Sequence, residues 1–242
     1  MRPVPVPEQR PEHPAASVPA ATPGTPAPGT PAPRPQPTAD AGTAPETAPG
    51  TAIEPGCLTI ADDTVDIAPA EQPEASSPDG NASACIIEEP AAIGGVKARD
   101  GKRSIAIPSR PTLNCAYGRE LAKFLREIAD PMAIGYFGAG IARVDTGPGF
   151  QCRYRNRASG GKVSAHGRGI ALDIAGFVLT DGRRIPIGSG GPGETGYVDA
   201  IRKAACGQFT TILGPGSDPS HATHLHLDTE KHGRSDNYRI CQ

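Results

Sequence analysis

The sequence predicts an α+β domain with a small, mainly antiparallel sheet and flanking helices, preceded by a Pro-rich leader. Three observations predict it. Helical periodicity and short β patterns fall in separate stretches and never take on the alternating rhythm of βαβ units. Turn residues abound, with 28 Pro and 30 Gly in 242 residues, so the elements must be short. The prolines are also unevenly placed: 15 of the 28 lie in residues 1–50, a stretch with no Ile, Leu, Phe, Tyr or Trp. Such a stretch has nothing to bury against the entropy of ordering it and is expected to be a disordered, polyproline-like spacer.

Charge divides along the same line. Residues 1–84 carry 3 basic and 11 acidic groups, whereas residues 85–242 carry 21 and 15. We therefore expect an acidic leader over 1–84, with 51–84 the least certain part, and a mildly basic folded domain over 85–242. Cys57 is a candidate tether between the two. The overall net charge of −2 gives no reason to expect a nucleic-acid partner. No apolar run reaches the roughly 18 residues of a spanning helix, so no membrane span is expected.

Within 85–242, Leu121, Phe124, Leu125 and Ile128 recur at i, i+3, i+4 and i+7, an amphipathic helix with Asn114 as its cap and Pro131 as its stop. Residues 140–145 and 150–154 read as two strands about the turn Gly147-Pro148-Gly149. Residues 170–179 and 184–187 form a hairpin through Asp181-Gly182. Val198, Ile201 and Ala205 mark a second helix ending before Gly207, and residues 209–213 and 223–228 two more strands.

The six cysteines, Cys57, Cys85, Cys115, Cys152, Cys206 and Cys241, contain no C-x-x-C pair, which argues against a zinc ribbon or a thioredoxin-like motif. An even, well-separated set suits disulfides in an oxidising compartment, with six buried thiols in a cytosolic protein as the alternative. Six cysteines allow fifteen pairings; Cys206–Cys241 is the first one expected. A periplasmic or secreted location follows, although Met1-Arg2-Pro3-Val4-Pro5 has no apolar core of a signal peptide, so that segment is expected to be missing from this sequence.

Five of the six histidines lie in the last 77 residues. Four fall in two tight groups, Ser164-Ala165-His166-Gly167-Arg168-Gly169-Ile170-Ala171-Leu172-Asp173 and His221-Ala222-Thr223-His224-Leu225-His226. On a strand over 223–228, His224, His226 and Asp228 share one face while Leu225 and Leu227 enter the core. On the earlier strand Asp173 faces the same way as Ala171 and Ala175, a lone carboxylate among small residues. A bound metal would remove the cost of an unpaired charge there. Two imidazoles and one carboxylate suit zinc and leave a fourth position open for water, the mark of a catalytic site. His221 lies in the Ser/Pro-rich loop before His226, where it could take a proton from that water. His13 and His232 are expected to be exposed bystanders.

Ser164-x-His166-x-x-Gly169-x-Ala171-x-Asp173 resembles the S-x-H-x-x-G-x-A-x-D signature of LAS-type zinc peptidases, the group of D-alanyl-D-alanine carboxypeptidases, murein endopeptidases and the hedgehog signalling domain. His221-x-x-His224-x-His226 is similar to the H-x-x-H-x-H of the penicillin-insensitive murein endopeptidases. The wider pattern resembles the bacterial extensin-like C-terminal domain family over about residues 85–242: Cys85-Ile86-Ile87-Glu88-Glu89-Pro90, Asn114-Cys115, Phe150-Gln151-Cys152-Arg153, Leu213-Gly214-Pro215 and His224-Leu225-His226-Leu227-Asp228. The resemblance implies a hedgehog-like or D-Ala-D-Ala-peptidase-like fold, with His166, Asp173 and His226 as Zn2+ ligands and His221 as general base. It further implies that His224 supports the transition state and that an arginine, Arg153 first and Arg155 second, binds a substrate carboxylate or oxyanion. The implied activity is hydrolysis of peptidoglycan peptides in the bacterial envelope. Two other readings belong to different classes: a zinc-bearing wall-binding module without turnover, and a mononuclear iron oxygenase. The oxygenase is disfavoured because His166 and Asp173 are seven residues apart, where such sites place the pair two apart.

Overall fold

A computed structural model of the chain describes residues 56–59, 62–75, 78, 80, 82–233 and 238–242. Of the leader expected over residues 1–84, the stretch 1–55, with the disorder expected for residues 1–50, lies outside the described residues, as does His13.

The architecture is α+β about one open, mostly antiparallel sheet, as expected. In chain order the strands are β1 (Val65–Pro69), β2 (Pro90–Lys97), β3 (Ser104–Ala106), β4 (Thr112–Asn114), β5 (Ile141–Thr146), β6 (Ala171–Leu179), β7 (Arg184–Pro186), β8 (Thr211–Leu213), β9 (Leu225–Asp228) and β10 (Ile240–Cys241). The spatial order is β1-β2-β3-β5-β6-β9-β8-β10, with β4 also pairing with β2 and β7 with β6. Only β3–β5 and β8–β10 run parallel.

The folded part begins well before the boundary expected near residue 84. Strand β1 pairs with β2, and Cys57 is bridged to Cys115. The reason is physical: Val65 and Ile67 are sparse but spaced two apart, and both pack on the main core with Cys57 and Leu58. The other two bridges are Cys85–Cys152 and the expected Cys206–Cys241, which ties the end of the last helix to β10. No helix among the described residues is long and apolar enough to cross a membrane.

Helix α1 (Cys115–Phe124) starts where Asn114 predicted, the side chain of Asn114 accepting the Tyr117 N–H at 3.0 Å. Pro131 does not stop it. The chain passes through a π-helical turn, Leu125–Ala129, into α2 (Asp130–Phe137) and ends at Gly138 in the left-handed conformation. Within the π turn the Asp130 N–H reaches back to Leu125 O, so the bonding register changes just where Pro131 brings no donor. Asp130 then anchors the junction: its buried carboxylate accepts the Ile141 N–H at 2.7 Å and both Arg103 guanidinium nitrogens at 3.0 and 2.8 Å.

Helix α3 (Pro192–Ala205) ends before Gly207 as expected and contributes Tyr197, Val198 and Ile201 to the core. Tyr197 packs edge-on against Phe137 and Phe177, and its hydroxyl donates to Ala129 O of the π turn at 3.0 Å. Tyr197→Phe leaves that buried carbonyl without its donor. The substitution is expected to lower unfolding free energy by about 1–2 kcal/mol, measured by urea titration. On the site side of the core, Tyr117 donates to Leu227 O at 2.8 Å, joining α1 to β9.

The strand expected over 150–154 does not form. Its polar backbone groups bond instead to the segment carrying His166: Gln151 N–H donates to His166 O, and Arg153 O accepts the Ser164 N–H. Cys152 is drawn to Cys85, and Tyr154 keeps only an isolated bridge to Val163.

Candidate metal centre

Strands β6 and β9 are antiparallel neighbours in a register that sets Asp173 directly opposite His226 and Ala171 opposite Asp228. Side chains directly opposite in such a pair share a face, so two residues far apart in sequence meet. His166 comes from outside the sheet, on the 3-10 turn Ala165–Arg168. Gly169 ends that turn with φ +66° and leads the chain into β6; a Cβ there would lie 2.7 Å from Asn114 N. Both the left-handed backbone and the close approach require glycine.

The three groups converge. His226 Nδ1 is 2.9 Å from Asp173 Oδ1, His166 Nε2 is 3.3 Å from His226 Nδ1, and His166 Nε2 is 3.4 Å from Asp173 Oδ1. Ligand bonds of about 2.0–2.1 Å in tetrahedral geometry set the donors about 3.3 Å apart. One N, N, O triangle of that size is the donor set a borderline divalent ion such as zinc takes, and His166, Asp173 and His226 are the group among the described residues able to hold one.

The outward ring nitrogens are engaged as well. His166 Nδ1 donates to Gly149 O at 2.8 Å, and His226 Nε2 lies 3.1 Å from Asp228 Oδ2. Bonds of this kind orient metal-binding imidazoles. Burial pushes the Asp173 carboxyl upward, but the hydrogen bonds and charge of His166 and His226 outweigh it and hold Asp173 well below the usual carboxylate range. Burial pulls His226 down, while its hydrogen bonds to the carboxylates of Asp173 and Asp228 prevail and push it up to about 9. The centre thus favours a positive charge between its carboxylates.

The other expected site residues surround this triangle. The strand expected from residue 223 starts only at Leu225, so His224 stands just before β9, its Nε2 3.6 Å from Asp173 Oδ1 and outside the triangle. Burial and the neighbouring imidazoles hold His224 below its ordinary value against the pull of Asp173. His221 is buried, its ring 5.6 Å from that of His226, and its Nδ1 lies 2.7 Å from Asp218 Oδ2. A cavity of about 280 Å³ opens over the triangle, with His221, His224 and Arg153 in its wall. Arg153 is braced by Gln151 Oε1 at 2.9 Å; burial and the nearby Arg157 hold its guanidinium below its ordinary value. Arg155 also lines the cavity but leans toward Glu230 at 3.9 Å.

Four features of the site have no clear mark in the sequence. The Gly149 carbonyl has no side-chain signal at all. Period-2 alternation puts Asp228 on the face of His226, but its bond to His226 Nε2 has no local signal. Asp218 stands three residues before His221, where it caps the short turn Pro219–His221. Glu230 is buried and binds Lys162 at 2.8 Å together with Arg168, fastening the end of β9 to the segment around His166. His232, expected to be exposed, is half-buried and bonds Thr211 Oγ1 at 2.7 Å.

Fold and site together define a disulfide-linked α+β domain with a two-histidine, one-carboxylate cluster, two members of which, Asp173 and His226, line a cavity. The chain belongs to the family described as extensin-like protein C-terminus, whose model matches residues 57–242. The match starts at Cys57, in agreement with the early start of the folded part. No curated protein and no solved structure matches it.

Proposed function

We propose that this domain is a zinc-dependent, peptidase-like hydrolase related to the LAS peptidases, acting on peptidoglycan peptides in the bacterial periplasm or outside the cell. The observation that carries the reading is the convergence of His166, Asp173 and His226 from a turn and two strands on one triangle of donor atoms. Those three residues would hold the ion. When bound, zinc supplies Lewis-acid polarisation and a water acidic enough to ionise near neutral pH.

The chain's own residues supply the rest. Asp218 engages His221 Nδ1, which leaves Nε2 as the nitrogen able to accept a proton in the cavity. Arg153, fixed by Gln151, offers a cation to a carboxylate or to charge growing on a carbonyl oxygen. His224 stands beside Asp173 as a further donor. Three disulfides support an oxidising location.

The test is mass spectrometry of muropeptides released from purified sacculi by zinc-loaded protein. New amino or carboxyl ends are expected with wild type, and none above the protein-free control with His166→Ala. His221→Ala is expected to slow release by roughly 10²–10⁴-fold while zinc content stays the same. Zinc-loaded wild type that binds sacculi yet releases nothing would leave the wall-binding module as the function.

A further inference from the structure

Five arginines and lysines stand between residues 153 and 168, and they divide into two sets. Lys162, Arg168 and, at 3.9 Å, Arg155 turn to the buried carboxylate of Glu230. Arg153 and Arg157 pair with no carboxylate among the described residues, and both line the cavity that Asp173, His226 and Asp228 also line. Those two aspartates are already bonded to His226. Burial, then repulsion from Arg157, holds the Arg153 guanidinium below its ordinary value against a smaller pull from Asp173. A cleft wall with unanswered charge of one sign draws ligands of the other.

We propose that Arg157 is a specificity-determining residue that selects peptides carrying a second carboxylate beside the one that Arg153 engages. The inference rests on the peptidoglycan reading above for its substrate and goes further by naming the acidic kind of peptide the site takes.

The backbone presents Arg157 at a steric cost. Its loop is closed by Ser164 N–H donating to Arg153 O at 2.9 Å, by Arg155 N–H donating to Lys162 O at 3.0 Å, and by the Tyr154–Val163 bridge. At the turn, Asn156 and Arg157 both take left-handed backbone, with φ of 52° and 55°. Asn fills such positions readily, but arginine gains no local bond there to offset the penalty. Glycine would suit the backbone at 157 better, so the case for arginine lies in its side chain. A planar guanidinium meets a carboxylate with two parallel hydrogen bonds, and two guanidiniums that repel each other are both relieved by a ligand with two negative charges.

Muropeptides released from purified sacculi by a muramidase provide the probe, their carboxylates either free or amidated with carbodiimide and ammonia. His221→Ala protein, with zinc present, binds them without rapid cleavage. Ultrafiltration and mass spectrometry then give a dissociation constant for each species together with its amide count. Arg157→Gln in that background is expected to weaken binding of species with two or more free carboxylates about 10–100-fold. Fully amidated species should bind both proteins weakly and equally. Arg157→Lys keeps the charge without the fork and should recover part of the affinity. Arg99→Gln removes a cation paired with Glu127 outside the cavity and should change nothing. Arg157→Gly separates this role from a structural one. Relief of left-handed strain offsets the freer unfolded chain, so the urea midpoint should hold while binding falls as far as in Arg157→Gln. Amidation without effect on the parent protein, or an equal Arg157→Gln loss on amidated species, overturns this proposal and leaves the peptidoglycan reading standing. If the parent binds neither form, the peptidoglycan reading fails and takes this proposal with it.

Discussion

Thermal unfolding in the presence of zinc is expected to separate Asp173→Ala from wild type completely. A ligand that binds only the folded state stabilises it by about 2.7 kcal/mol at a concentration 100 times its Kd. For domains of roughly 150–250 residues each kcal/mol moves Tm by about 2–4 °C, so zinc should raise the wild-type Tm by about 5–10 °C. Asp173 supplies the one oxygen of the triangle and is the charge to which both imidazoles turn. Its removal leaves the two imidazole nitrogens of His166 and His226 without a carboxylate between them. Asp228 cannot supply the missing oxygen, because its carboxylate is bound to the far side of His226. The variant should therefore show the same Tm with and without zinc. An equal zinc-induced rise in both proteins would put the ion elsewhere on the molecule and end the metal-centre reading.

What the sequence disclosed about this centre, and what it hid, follows from the range of each interaction. Period-2 alternation is local, so the common face of His224, His226 and Asp228, and the isolation of Asp173 between Ala171 and Ala175, were legible. The register that sets Asp173 opposite His226 is not local. It joins positions 53 residues apart and depends on how β6 and β9 pack through Leu172, Ile174, Leu225 and Leu227. The chemistry of the residue types suggested that the two would share an ion, and the motif resemblance named the pair, but no local pattern set their register. Interactions made by backbone, such as Gly149 O with His166, leave no pattern in residue types. Pro131 shows the reverse case: a strong local stop signal was overridden because a π turn, Asp130 and Arg103 together accommodate it. The strand expected at 150–154 was lost for a related reason, since its backbone groups found partners in the His166 turn.

That last exchange makes Cys85–Cys152 the bridge on which the site depends most. The segment around Cys152 has no strand ladder to hold it, yet it carries Gly149 O, which accepts from His166 Nδ1, and Gln151 N, which donates to His166 O. A Cβ on Gly167 would come within 3.0 Å of Cys85 Sγ, so the bridge lies directly against the turn that bears His166. Replacing both cysteines by serine opens a loop of 67 residues, for which chain entropy gives a loss of about 4 kcal/mol in urea unfolding. The Cys57–Cys115 bridge closes 58 residues and is expected to be worth nearly the same. It fastens the N-terminal end of the folded part to α1, with no bond to the triangle. The two double variants should therefore match in stability and part in metal binding. Without Cys85–Cys152, the hydrogen-bond partner of His166 is loosened and zinc affinity should fall roughly 10–100-fold. Without Cys57–Cys115 it should be unchanged. Equal zinc dissociation constants for the two variants, each measured under conditions where it is fully folded, would show that the His166 turn keeps its place without the bridge.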